Sequence, residues 1–154
     1  MQLDRLDVSL LQAILTDPKA GVRAWARQLD VARGTAQTRT ARLLRGGAIR
    51  SWAPELSPAD LGFPVLAFVH LHLTQGNLER VGKALVDVPE VTEAHTIAGE
   101  GDMLCRVVAR DSGHLEDVIQ RVLAIPGVVR SRAEVALSER VPRRTEPLLG
   151  LIPD

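Results

Sequence analysis

Between residues 33 and 45 the chain carries Arg33, Gly34, Thr35, Gln37, Thr38, Arg39, Arg42 and Arg45, interleaved with Ala36, Thr40 and the Leu43–Leu44 pair. These are groups that hydrogen-bond nucleic acid. Arginine can take guanine through two parallel bonds, glutamine can take adenine, and threonine can meet a thymine methyl or a phosphate. Arg33-Gly34-Thr35 opens the stretch, where free backbone N–H groups and the helix dipole favour a phosphate. The charge distribution points the same way. From Lys19 to Arg50 there are eight basic residues and one acid, Asp30, whereas from Leu61 onward there are ten basic residues and thirteen acids. One part of the chain is suited to a polyanion and the other is not. A solvated, arginine-rich surface helix would carry the same residues, so the elements around the stretch decide between the two.

A second candidate is Gly99-Glu100-Gly101-Asp102, set between two apolar runs. Glycines let a backbone approach a small ligand closely, and Asp102 can pair an amino group. A plain hairpin uses the same residue types. The remaining chemistry-bearing residues are more isolated. His70 and His72 share a strand face at i, i+2 without a third ligand at metal-site spacing, so surface or interface roles are expected. His95 is also alone. Cys105, with Val107 and Ala109 on its face, reads as a buried, inert thiol. Trp25 reads as core, and Trp52 can pack between domains or near DNA. There is no nucleophile–base pair and no pair of carboxylates at catalytic spacing, so no enzyme is expected, and no cofactor or metal.

The elements that must hold these residues follow from periodicity. Leu6, Leu10, Ala13 and Ile14 mark an amphipathic helix over about Asp4–Leu15, with Asp4 and Asp7 in the first turn where negative charge suits the dipole. Val22–Leu29 is a second short helix with Val22, Trp25, Ala26 and Leu29 on one face. A turn at Asp30-Val31-Ala32 follows. Arg33–Arg45 is the third helix, ended by Gly46-Gly47. Helix, tight turn and basic helix together make a helix-turn-helix, whose last helix lies in the major groove of double-stranded DNA.

Pro54, Pro58 and Gly62-Phe63-Pro64 mark a linker, which sets domains at 1–53 and 64–154 with 54–63 between them. Beyond it the expected order is strand Val65–Thr74, a helix from an Asn77 cap through Val88, strand Val91–Ala98, a turn at 99–102, strand Met103–Arg110, a helix over Leu115–Leu123, and strand Val128–Leu137. This βαββαβ order is ferredoxin-like, with both helices on one face of the sheet. The fold class is therefore α+β: a three-helix (winged) helix-turn-helix domain followed by a ferredoxin-like domain. In the first strand Val65, Ala67, Val69, Leu71 and Leu73 share the covered face, and Leu66, Phe68, His70 and His72 share the open one. A mixed open face suits a second subunit. The tail from Pro142 is expected to be poorly ordered or swapped.

Several of these segments resemble the leucine-responsive/asparagine-regulator (Lrp/AsnC) family of transcription regulators. Val31-Ala32-Arg33-Gly34-Thr35, Arg39, Leu43 and Gly47-Ala48-Ile49 are similar to its recognition-helix pattern, and Leu3-Asp4-Arg5-Leu6-Asp7 to its start. Gly99-Glu100-Gly101-Asp102 and Pro126-Gly127-Val128 are similar to its ligand-sensing (RAM) domain. The resemblance implies DNA binding as a multimer, with dimers assembling to tetramers or octamers. It also implies an amino acid or related effector held near Gly99, Glu100, Gly101, Asp102 and Ser131. Three positions depart from the pattern. Ala32 replaces the serine before the recognition helix, Asp30 replaces a turn glycine, and Gly101 replaces an aromatic residue. The last motivates an alternative, an effector-independent DNA organiser. A more distant alternative is a sirohaem-decarboxylase-like enzyme, but the chain has no tyrosine and only His95 near the relevant hairpin.

Composition bounds these readings. Hydrophobic residues are 45% and charged residues 25%, as in ordinary globular proteins. No apolar run reaches the roughly 18 residues of a membrane span. The first five residues lack a secretory pattern, and one cysteine forms no internal disulfide. A cytoplasmic protein is expected.

Overall fold

Asp4 starts the first helix, α1 (Arg5–Thr16), by a reciprocal bond. Its carboxylate accepts the Asp7 N–H at 2.9 Å, and the Asp7 carboxylate accepts the Asp4 N–H at 3.0 Å. The expected apolar stripe faces inward, with Leu10, Ala13 and Ile14 buried. α2 (Val22–Gln28) buries Trp25 and Ala26, and α3 (Arg33–Arg45) buries Ala36, Thr40 and Leu43. Between them Asp30 adopts φ 52, the left-handed conformation that a glycine would take more cheaply. Ala32 occupies the N-cap of α3 with no side-chain bond to the helix. Residues 46–53 make turns, bends and irregular chain rather than a strand, so the wing expected from sequence is absent from this segment.

This computed structural model describes residues 2–153 and divides the chain into two units, Met1–Pro54 with Val141–Asp154, and Glu55–Arg140. The first boundary falls close to the expected linker. The tail differs from expectation: it belongs with the helical unit, not with the second domain. Its 3-10 helix, Glu146–Leu151, packs on α1, and Leu149 joins the cluster around Leu10, Ile14, Trp25 and Leu43. The reason is apolar burial, since Leu149 offers a side chain to a small three-helix core.

The second unit runs β1 (Val65–Leu73), α4 (Leu78–Leu85), β2 (Val91–Thr96), β3 (Met103–Ala109), α5 (Ser112–Leu123) and β4 (Val128–Val135). The sheet order is β2-β3-β1-β4, all antiparallel, as the βαββαβ order requires. Ala67, Val69 and Leu71 of β1 and Cys105 and Val107 of β3 are at most 1% exposed. They pack with Val81 of α4 and Val118 of α5, so the covered face is the one read from period two. Asn77 departs from expectation. It sits at the N-cap of α4, but its amide donates to Thr74 Oγ1 at 2.7 Å instead of capping the helix. Gly127 (φ 109) lies against it, and a Cβ there would stand 2.8 Å from Asn77 Cβ. Only glycine joins α5 to β4 at that approach.

Candidate functional site

With Ala36, Thr40 and Leu43 facing the core, helical geometry places positions 34, 38, 41 and 45 on the opposite side of α3. Arg33, Gly34, Thr35, Gln37, Thr38 and Arg45 are all exposed. Gly34 is the outermost residue of the first turn, and a Cβ there would meet nothing within 4 Å. Packing inside the chain therefore gives no reason for a glycine. An outward helix face that is small near its N-terminus and carries Thr38 and Arg45 beyond can approach a duplex backbone closely.

Arg39 and Arg42, expected to face DNA, behave differently. Arg39 Nη1 donates to both oxygens of Asp4 at 2.7 and 2.6 Å and to Asp7 Oδ1 at 3.0 Å. Arg42 Nη2 bonds Asp7 Oδ2. Asp7 is fully buried, while the Arg39 and Arg42 side chains keep 27% and 43% of their exposure. Arg39 is thus turned toward α1 and ties α3 to it. Arg42 is tied along one edge and open on another. The Arg39 hydrogen bond holds the Asp4 carboxyl down at about 2. At Asp7 burial works to raise the pKa, but the bond from Arg42, the Asp4 N–H and the bond from Arg39 outweigh it and keep the group ionised. From sequence Asp4 and Asp7 are first-turn acids within the family-like start of the chain. They lie 32–35 residues from their arginines, and no local pattern marks the pairing.

The hairpin between β2 and β3 is pinned to the end of β1. Asp102 N–H donates to Leu71 O at 2.8 Å, and Asp102 Oδ2 accepts the Leu73 N–H at 2.7 Å. Gly101 (φ 93) passes so close that a Cβ would stand 3.2 Å from Leu71 O. His70 Nδ1 lies 3.2 Å from Glu100 O, and Arg132 donates to Glu100 Oε1 at 2.8 Å. Glu100 thus joins His70 and Arg132 on the open face. Ser131 pairs with Leu71 and shares its side of the sheet, the covered one. The structure brings Glu100, Gly101 and Asp102 together and leaves Ser131 on the opposite face from Glu100. Gly99 (φ 138) is exposed at the tip.

The isolated residues fall mostly as read. Cys105 is buried, and burial pushes its thiol up to about 11. Trp25 is 3% exposed, and Trp52 stacks on it with ring centroids 5.9 Å apart, within the helical unit. No group of three or more potential metal ligands occurs among the described residues. His114, which sequence reading passed over, accepts the Arg110 N–H on Nδ1 at 3.1 Å and meets Glu90 Oε1 through Nε2 at 3.1 Å. Arg121 also reaches that oxygen, at 2.6 Å.

The family description that matches this chain is the Lrp/AsnC ligand binding domain, over residues 66–146. That is more than half of the sequence. The chain belongs to the Lrp/AsnC family. Its relatives include the HTH-type transcriptional regulator FL11 of Pyrococcus furiosus, 27% identical over 135 residues, covering 88% of this chain and 89% of that one. The HTH-type transcriptional regulator Ptr1 of Methanocaldococcus jannaschii is 28% identical over 109 residues, 71% and 74% of the two chains. Among solved structures, Escherichia coli AsnC matches the fold with a TM-score of 0.88 at 23% identity, covering 96% of this chain and all of that one. A feast or famine regulatory protein from Mycobacterium tuberculosis, solved with L-methionine, matches with 0.83 at 24% identity, over 93% and 97%.

Proposed function

We propose that this Lrp/AsnC chain is a transcription regulator that binds operator DNA through α3, as a dimer or a higher assembly of dimers, in the cytoplasm. The observation that carries the reading is the outward face of α3. Arg33, Thr35, Gln37, Thr38 and Arg45 are exposed beside Gly34, opposite a packed core. Arg42 joins them through its open edge. Arg33, Gly34 and Thr35 meet phosphate, and Gln37, Thr38, Arg42 and Arg45 reach base edges or the adjoining backbone. The test is a duplex selected from a random pool. Replacing Arg45 with alanine should weaken binding by about 1–3 kcal/mol if it reads a base, or lower the salt slope by about one if it holds a phosphate, with melting unchanged. Unaltered binding by both Arg45→Ala and Thr38→Ala would remove α3 from the interface.

The effector is an amino acid or a similar small metabolite bound around Glu100–Asp102, and the relative solved with L-methionine supports that chemical class. Specific thermal stabilisation in a screen of the twenty amino acids tests it. A second reading, an effector-independent DNA organiser, is favoured by one observation. Asp102 already spends an oxygen on Leu73 N–H and so offers less to an ammonium group. No response to any amino acid, together with similar affinity for unrelated duplexes, would select it.

A further inference from the structure

One carboxylate serves three groups on two elements of the helical unit, the start of α1 and two arginines of α3. Asp7 Oδ2 accepts the Asp4 N–H that starts α1, Asp7 Oδ1 accepts Arg39 Nη1, and Asp7 Oδ2 also takes Arg42 Nη2. Asp7 is 0% exposed and cannot itself touch a duplex. Arg42 is different: Asp7 is the one partner it bonds among the described residues, and 43% of its side chain is exposed. A guanidinium is planar and carries five N–H donors in a fixed fork. Once Nη2 is anchored, the plane and reach of the remaining donors are set. An unanchored arginine on a helix surface samples many rotamers and would have to give up that freedom on binding.

We propose that Asp7 is a positioning residue for DNA recognition, holding Arg42 so that the guanidinium edge away from α1 is presented to the duplex in one orientation. The inference rests on α3 being the DNA-facing helix. Arg39 has the complementary task. It satisfies the other oxygen of Asp7 and is itself steadied by Asp4, so the buried carboxylate stays ionised and in place. A contact to phosphate adds affinity for any duplex, because phosphate is everywhere. An orientation adds preference, because bidentate base contacts require a defined plane. The distinctive property of Asp7 is therefore an effect on the ratio of affinities for a preferred and an unrelated duplex.

The experiment uses the full chain, a duplex selected from a random pool and an unrelated duplex of equal length, at several salt concentrations, with melting curves to set the folded fraction. Asp7→Asn should bind the selected duplex about tenfold more weakly and leave the unrelated one unchanged or slightly tighter, since one negative charge is gone. Arg42→Ala in the Asp7→Asn background should add little further loss of preference. Leu149→Ala is the control, loosening the same core while leaving every α3 residue and the Asp7 bonds in place, and should leave the ratio unchanged. Should Asp7→Asn fail to melt cooperatively, Arg42→Lys decides. Lysine keeps the charge but has no second edge, so preference should fall while unrelated-duplex binding holds. Equal weakening on both duplexes by Asp7→Asn, independent losses from Asp7→Asn and Arg42→Ala, or full preference in Arg42→Lys would each overturn the proposal. A wild-type chain that binds no duplex would instead overturn the reading of α3.

Discussion

The α3 helix and the Gly99–Asp102 hairpin both carry residues able to meet a ligand, and the structure treats them in opposite ways. On α3 most of the polar groups point away from the core and keep their hydrogen-bonding capacity for something outside the chain. In the hairpin the groups are largely spent on the chain itself. Asp102 holds the end of β1, Gly101 makes room for Leu71 O, and Glu100 engages Arg132. A helix satisfies its own backbone and frees its outward side chains. A turn at a sheet end leaves backbone N–H groups without ladder partners, and nearby acidic side chains are drawn in to satisfy them. The arginines of α3 show the contrast within one helix. Arg45 is exposed, while Arg39 resembles the hairpin residues in serving an internal partner.

The contrast is sharpest if the two kinds of residue separate by assay. Arg39→Ala should destabilise the helical unit by about 1–3 kcal/mol, because it takes from the buried Asp7 the arginine bond to Oδ1 and leaves it Arg42 and the Asp4 N–H. Trp25 and Trp52 are the only tryptophans in the sequence and both lie in that unit, so tryptophan emission during urea unfolding reports the loss directly. A midpoint equal to that of the wild type would show that Arg39 is an outward residue after all. Asp102→Ala should lower the stability of the sheet unit by about 1–2 kcal/mol through the unpaired Leu73 N–H. Far-UV circular dichroism during thermal unfolding checks this with no effector present. A variant that unfolds normally but no longer responds to an amino acid would move Asp102 to the ligand side of the comparison.

Gly34→Ala should act in the reverse sense. Alanine raises helix stability by about 0.5–1 kcal/mol at an open position, and it places a methyl where a phosphate would come closest. Tighter folding together with weaker duplex binding is expected from paired melting and gel-shift measurements. Tighter binding would place the DNA elsewhere. The smallest effect is acid sensitivity. The Asp4 carboxyl is held at about 2 against an ordinary 3.8, so its contribution is complete above 3.8 and is lost as pH falls through about 2. Asp4→Asn should flatten the dependence of the tryptophan-monitored midpoint across that window. An unchanged slope would show that Arg39 does not bond Asp4 in solution.

Much of the architecture was legible because it rests on local rules. The Leu10, Ala13 and Ile14 stripe, the bounds Arg33–Arg45, and the alternation that buries Ala67, Val69 and Leu71 all follow from the 3.6 and 2.0 residue periods. Asp30 in the left-handed turn and the uncapped Ala32 were legible too, since each is a property of one residue and its neighbours. Less visible were the tail on α1 and the Asn77 amide turned to Thr74. Each depends on which segment arrives from elsewhere.

By itself the sequence determined that there is a basic helix after a tight turn, a βαββαβ sheet, and a set of polar residues suited to a duplex. Tertiary structure alone decided which arginines are free. Asp4 and Asp7 are brought to Arg39 and Arg42 only when α1 packs on α3. A long flexible side chain takes the partner that the fold delivers, whatever its helical position suggests.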